Sequence, residues 1–106
     1  MGKNEFTGKW RITEMEQWDQ DFIDAEIPGY ISFHSDNMGE FQFGYVHGFM
    51  DCRYSKGNKM VEFSWEGNDE MDSASGRGIA VIEDGNISGH LFFHRGDDST
   101  FKAIKQ

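Results

Sequence analysis

Residues 63–72 read Phe-Ser-Trp-Glu-Gly-Asn-Asp-Glu-Met-Asp, and Gly76-Arg77-Gly78 follows at once. Val61, Phe63 and Trp65 alternate with polar residues, which puts them on one side of a strand. The strand runs into a loop over 67–75 that carries Asp69, Glu70 and Asp72 behind Glu66, and a basic residue between glycines leads out. A buried aromatic wall ending in concentrated negative charge is the one place where this chain offers a specific site. No catalytic motif accompanies it.

The same period-two pattern extends in both directions. Upstream, Phe6, Gly8, Trp10, Ile12 and Glu14 share one face of a first strand. Residues 18–27 read as a short helix, since Trp18, Phe22 and Ile23 fall at helical spacing and Pro28-Gly29 stops it. A second strand covers about 30–35. The third, about 39–55, is long, with Phe41, Phe43, Tyr45, His47 and Phe49 on one face and a bend at Gly44 and Gly48. Downstream, strands are expected at about 59–66, 76–84, 86–95 and 99–105, with a tight hairpin at Asp84-Gly85. Short successive connections and an aromatic interior predict one all-β domain over 1–106. Its form is an antiparallel up-and-down barrel or strongly coiled meander of about seven strands with one short helix.

Composition narrows the function classes. The net charge is −9, with 19 acidic and 10 basic residues, which argues against nucleic acid and anionic membrane surfaces as partners. Cys52 is the only cysteine, which excludes an internal disulfide framework and fits a reducing compartment. The start, Met-Gly-Lys-Asn-Glu-Phe, has no apolar secretory region, and Phe6 stands where N-myristoylation needs Ser or Thr. A cytoplasmic protein is expected.

Residues equidistant from a hairpin turn lie opposite each other. Counting from the turns puts Arg77 opposite about Phe92 and His47 near Glu66. Trp18 and its helix, His47, the 66–72 loop, Arg77 and the 94–98 turn then collect at one end. Trp18, Asp19, Tyr45, Trp65, Glu66, Asp69, Glu70, Arg77 and His94 are the candidate ligand-binding residues. Aromatic faces beside carboxylates suit an organic cation, because the ring quadrupole attracts the charge and the carboxylates complete the field. Against this stands a plainer reading of the acidic residues as solvated turns, favoured for Asp72, Asp97 and Asp98.

Other chemistries fit less well. Asn68, Glu70 and Asp72 alternate as calcium ligands do, but an EF-hand would need glycine where Ser73 stands. His90 and His94 are four residues apart, about 13 Å in an extended strand, and cannot share one ion. No metal and no cofactor is expected. Glu14, on the Trp10 face, is the best buried carboxylate for acid–base catalysis, set against a structural pair or a change of face at the strand end. Cys52 has no activating base nearby in sequence. Gly76-Arg77-Gly78 precedes a strand and is no nucleotide fingerprint.

Two resemblances bear on this reading. Phe6-x-Gly8-x-Trp10 resembles the opening of the lipocalin and fatty-acid-binding superfamily, which implies an up-and-down barrel whose Trp packs on a late basic residue, here Arg95 or Lys102. Residues 10–19, 41–44, 63–72, 76–78 and 92–99 resemble a widespread family of short bacterial proteins known only as hypothetical proteins, some relatives of which travel as mobile gene cassettes. That likeness implies a bacterial, cytoplasmic origin and no particular activity. Its motifs include Trp10, Trp18, Asp19, Trp65, Glu66, Asp69, Glu70, Arg77, His94 and Asp97, but not His47. The resulting expectation is a non-catalytic binding protein for a small cationic or amphipathic ligand at an acidic, Trp-lined barrel end. Its alternatives are a protein-interaction or homo-oligomerisation module, using Phe92 with Met50, Tyr54 and Met60, and a small enzyme using a buried Glu14.

Overall fold

A computed structural model describes residues 4–106. The leading Met-Gly-Lys, read above for a signal or acylation, lies outside the described residues. Eight strands follow one another around a closed antiparallel barrel in sequence order. They are β1 (Gly8–Met15), β2 (Tyr30–Phe33), β3 (Met38–Phe43), β4 (Val46–Tyr54), β5 (Met60–Asp69), β6 (Asp72–Glu83), β7 (Asn86–Phe93) and β8 (Asp98–Lys105), with α1 (Gln20–Ile23) between β1 and β2. β8 closes on β1 and leaves no open edge around the ring.

The eighth strand comes from a turn hidden inside an unbroken alternation. Phe43 pairs with Val46, so Gly44 and Tyr45 form a two-residue hairpin where one bent strand is expected from sequence. Gly44 supplies the left-handed backbone (φ 58°) that such a hairpin needs. The turn also reverses parity. Phe41 and Phe43 point inward, but beyond the hairpin Val46, Gly48 and Met50 do so, while Phe49 faces out. A second correction concerns 67–75. Asp69 pairs with Asp72, which makes Glu70-Met71 the whole turn and extends both strands past the expected loop. The Asp84-Gly85 hairpin is as expected, with positive φ at both residues.

Interior space is shared between large rings and cross-strand glycines. Phe41 faces Gly48, Phe63 faces Gly78, Trp65 faces Gly76 and Phe101 faces Gly89. A Cβ at any of these glycines would overlap the ring opposite or the neighbouring backbone. The glycines therefore let eight strands close around an aromatic filling, in the large-against-small packing that narrow barrels use. Phe33, Phe41, Phe43, Met50, Val61 and Ile87 are each 2% exposed or less. Outside, Arg11, Arg53, Glu62, Glu66 and Arg77 face solvent. An apolar interior under a charged exterior is the reverse of a membrane-spanning barrel. No helix among the described residues is long and apolar enough to cross a membrane.

Candidate functional site

The connections between β1 and β2, β3 and β4, β5 and β6, and β7 and β8 all lie at one end, here termed the mouth. The first of them carries α1. Asp19 caps this helix, its carboxylate accepting the Phe22 N–H at 3.0 Å. Asp24 ends it and ties it down, taking the Gly29 N–H at 2.8 Å, the Arg11 guanidinium at 2.7 Å and the Gln20 amide at 3.0 Å. Burial pushes the Asp24 carboxyl up, but the Gly29 and Gln20 hydrogen bonds and the Arg11 charge outweigh it and hold the group below its ordinary value. The helix also grips the next hairpin, since the Gly44 N–H donates to the Ile23 carbonyl at 2.9 Å. Phe22 lies in the space that a side chain at position 44 would need.

Trp18, half-buried, sits over the end of the aromatic interior. Its ring lies 4.9 Å from Phe43, 5.9 Å from Phe93 and 6.2 Å from Phe22, centroid to centroid. Beneath it Trp65 packs edge-on against Phe41 and Phe93, both at 5.1 Å. Beside Trp18 the wall opens, because β6 outruns β7: Gly76 is the last β6 residue paired with β7, and Asp72–Ala74 pair with β5 alone. The resulting cleft, about 290 Å³, is lined by Trp18, Phe22 and Phe93 with Asp69, Asp97 and His94. Three apolar rings form its floor, and two exposed carboxylates stand on its rim.

Of the nine candidate residues, the fold brings Trp18, Asp69 and His94 together here. The others serve elsewhere. Tyr45, at the tip of the β3–β4 hairpin, packs on Phe22 at 5.9 Å outside the cleft, and Asp19 is spent on the helix cap. Glu70 occupies the left-handed position of the β5–β6 turn (φ 57°) and donates its N–H to the Tyr45 carbonyl. Trp65 is core, 3% exposed, with its indole N–H on the Phe92 carbonyl at 3.2 Å. Glu66 and Arg77 are each one residue past an inward position, so they point outward from the barrel wall, where they border a separate depression of about 630 Å³ with Trp65 and His94. Phe22, Phe93 and Asp97 complete the cleft. Phe22 was visible in sequence as a helix-face residue, Asp97 as a turn acid, and Phe93 only as the inward neighbour of the outward Phe92.

The remaining chemistry is dispersed. A register shift between Ile12 and Glu14 turns Glu14 out to solvent, which removes the buried carboxylate that catalysis would need. His47 lies opposite Asn68 rather than Glu66, 3.7 Å from Glu40. His90 pairs with Asp98 at 2.6 Å. No three metal-ligating side chains converge among the described residues. Cys52 is fully buried, and burial, with Asp51 adding, pushes its thiol up to about 12, far from nucleophilic use. The late basic residue over Trp10 is Lys105, its ammonium 4.6 Å from the ring, rather than Arg95 or Lys102. Met50 is core and Tyr54 half-buried, so neither joins Phe92 in an outer patch. No protein-family model, curated protein or solved structure matches this chain.

Proposed function

We propose that this barrel is a non-catalytic binding protein that takes a small organic cation in the mouth cleft. One observation carries the reading: the Trp18, Phe22 and Phe93 rings share a single cleft with the Asp69 and Asp97 carboxylates. Ring faces attract a cation by their quadrupole, worth about 0.5–2 kcal/mol each according to how far the site is desolvated. Carboxylates supply the charge that aromatic rings alone lack, and the net charge of −9 raises the local cation concentration. The packed interior argues against an amphipathic ligand carried inside the barrel, so the ligand class narrows to one held at the rim.

Tetramethylammonium tests it, with tert-butanol as a neutral molecule of similar shape. Thermal stabilisation is expected with the cation alone, and Asp69→Asn with Asp97→Asn is expected to weaken it about tenfold, or about 1.4 kcal/mol. An equal response to tert-butanol, or an unchanged response in the double variant, would sink the reading.

A second reading, an interaction module, is favoured by the outer wall. Phe49 and Phe92 stand 51% and 42% exposed there on either side of Glu66 and Arg77.

A further inference from the structure

The outer face of β4–β7 has a local symmetry that the ladder register makes explicit. Take a two-fold axis perpendicular to the sheet through the Trp65–Gly76 pair. Glu66 lies one residue beyond Trp65, and Arg77 one residue beyond Gly76, so the axis exchanges them. It exchanges Ser64 with Ser75 and Gly67 with Gly78 by the same count. On the flanking strands Phe49 faces Glu66 and Phe92 faces Arg77, so the two exposed rings are exchanged as well. Even their supports correspond: His47 lies against Phe49 at 4.7 Å and His90 against Phe92 at 4.6 Å.

A depression of about 630 Å³ lies on this axis between Phe49 and Phe92, bordered by Ser64, Glu66, Ser75 and Arg77, and two more are exchanged by it. One, about 520 Å³, is bounded by Glu62, Ser64, Arg77 and Gly78 next to Phe92. The other, about 630 Å³, is bounded by Ser73, Ser75, Glu66 and Gly67 next to Phe49. The first of these two is also bordered by Arg53 and Ile79, and the two open over the small outward side chains of Ser64 and Ser75. Glu66 and Arg77 have no ion-pair partner among the described residues.

We propose that this face binds a second copy of the chain as a two-fold dimer. The proposal rests on the second reading above, an interaction face on the outer wall, and is independent of the mouth cleft. A symmetric dimer needs a patch complementary to itself, in which one residue meets another and that other meets the first. Here rotation about an in-plane axis along the Ser64–Ser75 diagonal sets Glu66 against Arg77 of the second copy, and Arg77 against its Glu66. Phe49 then enters the Gly78 hollow of the other copy, and Phe92 the Gly67 hollow. Ser64 and Ser75 lie on the axis, and the same diagonal runs on to Arg53, which is paired with its own Asp51.

Strands are spaced about 4.8 Å apart and outward rows about 6.8 Å, so this diagonal lies about 35° from the strands and the rotation crosses the two sets at about 70°. Four strands by four outward rows is about 520 Å² in plan, which puts the dimer near the low end of specific interfaces, about 1,000 Å² in all. A reversible dimer, micromolar or weaker, is the expected form.

Sedimentation equilibrium of the full chain over a wide concentration range at physiological salt tests this. Wild type is expected to dimerise reversibly. Glu66→Arg and Arg77→Glu alone each place like charges at both symmetric contacts and are expected to weaken association about 100-fold. Mixing the two variants restores opposite charges at both contacts, so a heterodimer at least as tight as wild type is expected. Phe49→Ser and Phe92→Ser, both at exposed positions, are each expected to weaken it too. A wild type that stays monomeric throughout overturns the proposal, as does a mixture of charge variants no tighter than either alone. Loss of dimer in the Phe variants without rescue by the mixture overturns this two-fold arrangement while the interaction face stands. A dimer indifferent to Phe49 and Phe92 overturns both.

Discussion

The two ends of this barrel are closed by the same kind of side chain in opposite ways. At the floor, Trp10 is 2% exposed, its indole N–H donates to the Phe6 carbonyl at 2.8 Å, and Lys105 covers its face. Phe6, fully buried, packs between Phe33 at 5.3 Å and Tyr54 at 5.6 Å. At the mouth, Trp18 stops the same aromatic interior but stays half-open beside a cleft and two carboxylates. One tryptophan completes a core and the other stays half-exposed, stacked on Phe22. The floor is the better packed of the two ends.

The largest expected effect contrasts the two directly. Trp10→Ala removes a fully buried ring and leaves a cavity, so a loss of about 3–5 kcal/mol is expected. Trp18→Ala removes a half-exposed ring whose surroundings can collapse toward water, with an expected loss of about 1–2 kcal/mol. Urea denaturation of both variants measures the difference. Equal losses would break the comparison and make Trp18 an ordinary core residue.

Much of this architecture was legible from residue pattern. Period-two alternation marked most strands, and Asp84-Gly85 carried its turn in its residue types, because both positions tolerate positive φ. Gly44-Tyr45 did not. Phe41, Phe43, Tyr45, His47 and Phe49 alternate without a break, and a two-residue hairpin reverses direction without adding turn-forming residues beyond one glycine. That turn also swaps which parity faces inward, a change that composition does not register. Collecting the right loops at the mouth required only counting, since alternate connections of an up-and-down barrel share an end. Choosing the right side chains required knowing which face each strand tail presents. Glu66 and Arg77 miss the cleft by one residue of that alternation, and Asp19 misses it because its carboxylate is taken by the helix cap.

The floor should also respond to alkali. Burial pushes the Cys52 thiol up to about 12, with Asp51 adding, and burial pushes the Tyr54 hydroxyl up to about 12, with Cys52 adding. The Tyr54 hydroxyl also finds no hydrogen-bond partner among the described residues. Folded-state values above the ordinary 9.0 and 10.0 mean that the unfolded chain loses these protons first. Stability is therefore whole below pH 9 and falls as pH rises toward 12. Denaturation midpoints measured from pH 8 to 11 should show this fall, and Cys52→Ala should flatten it. An alkaline fall of equal slope in Cys52→Ala would mean that the floor is not its source.

The smallest effect tests how firmly the mouth is held. Asp24 joins α1 to β1 and to Gly29 through three hydrogen bonds at a partly exposed position. Asp24→Asn keeps the shape but loses the charge that two of these donors and Arg11 favour, with an expected cost of about 1 kcal/mol. The carboxyl is held below its ordinary 3.8, so its contribution is present above that value and disappears as pH falls through the lower folded one. The gap between wild type and Asp24→Asn should therefore be constant from pH 5 to 8 and close in stronger acid. The same variant should loosen the Trp18 cleft and leave the floor untouched, because beyond the first connection Asp24 touches only Arg11. Faster amide exchange at residues 18–29 with unchanged exchange around Trp10 and Phe6 is the expected signature. Exchange that rises equally at both ends would mean that the mouth and floor unfold as one unit, and the contrast between them would then be one of exposure alone.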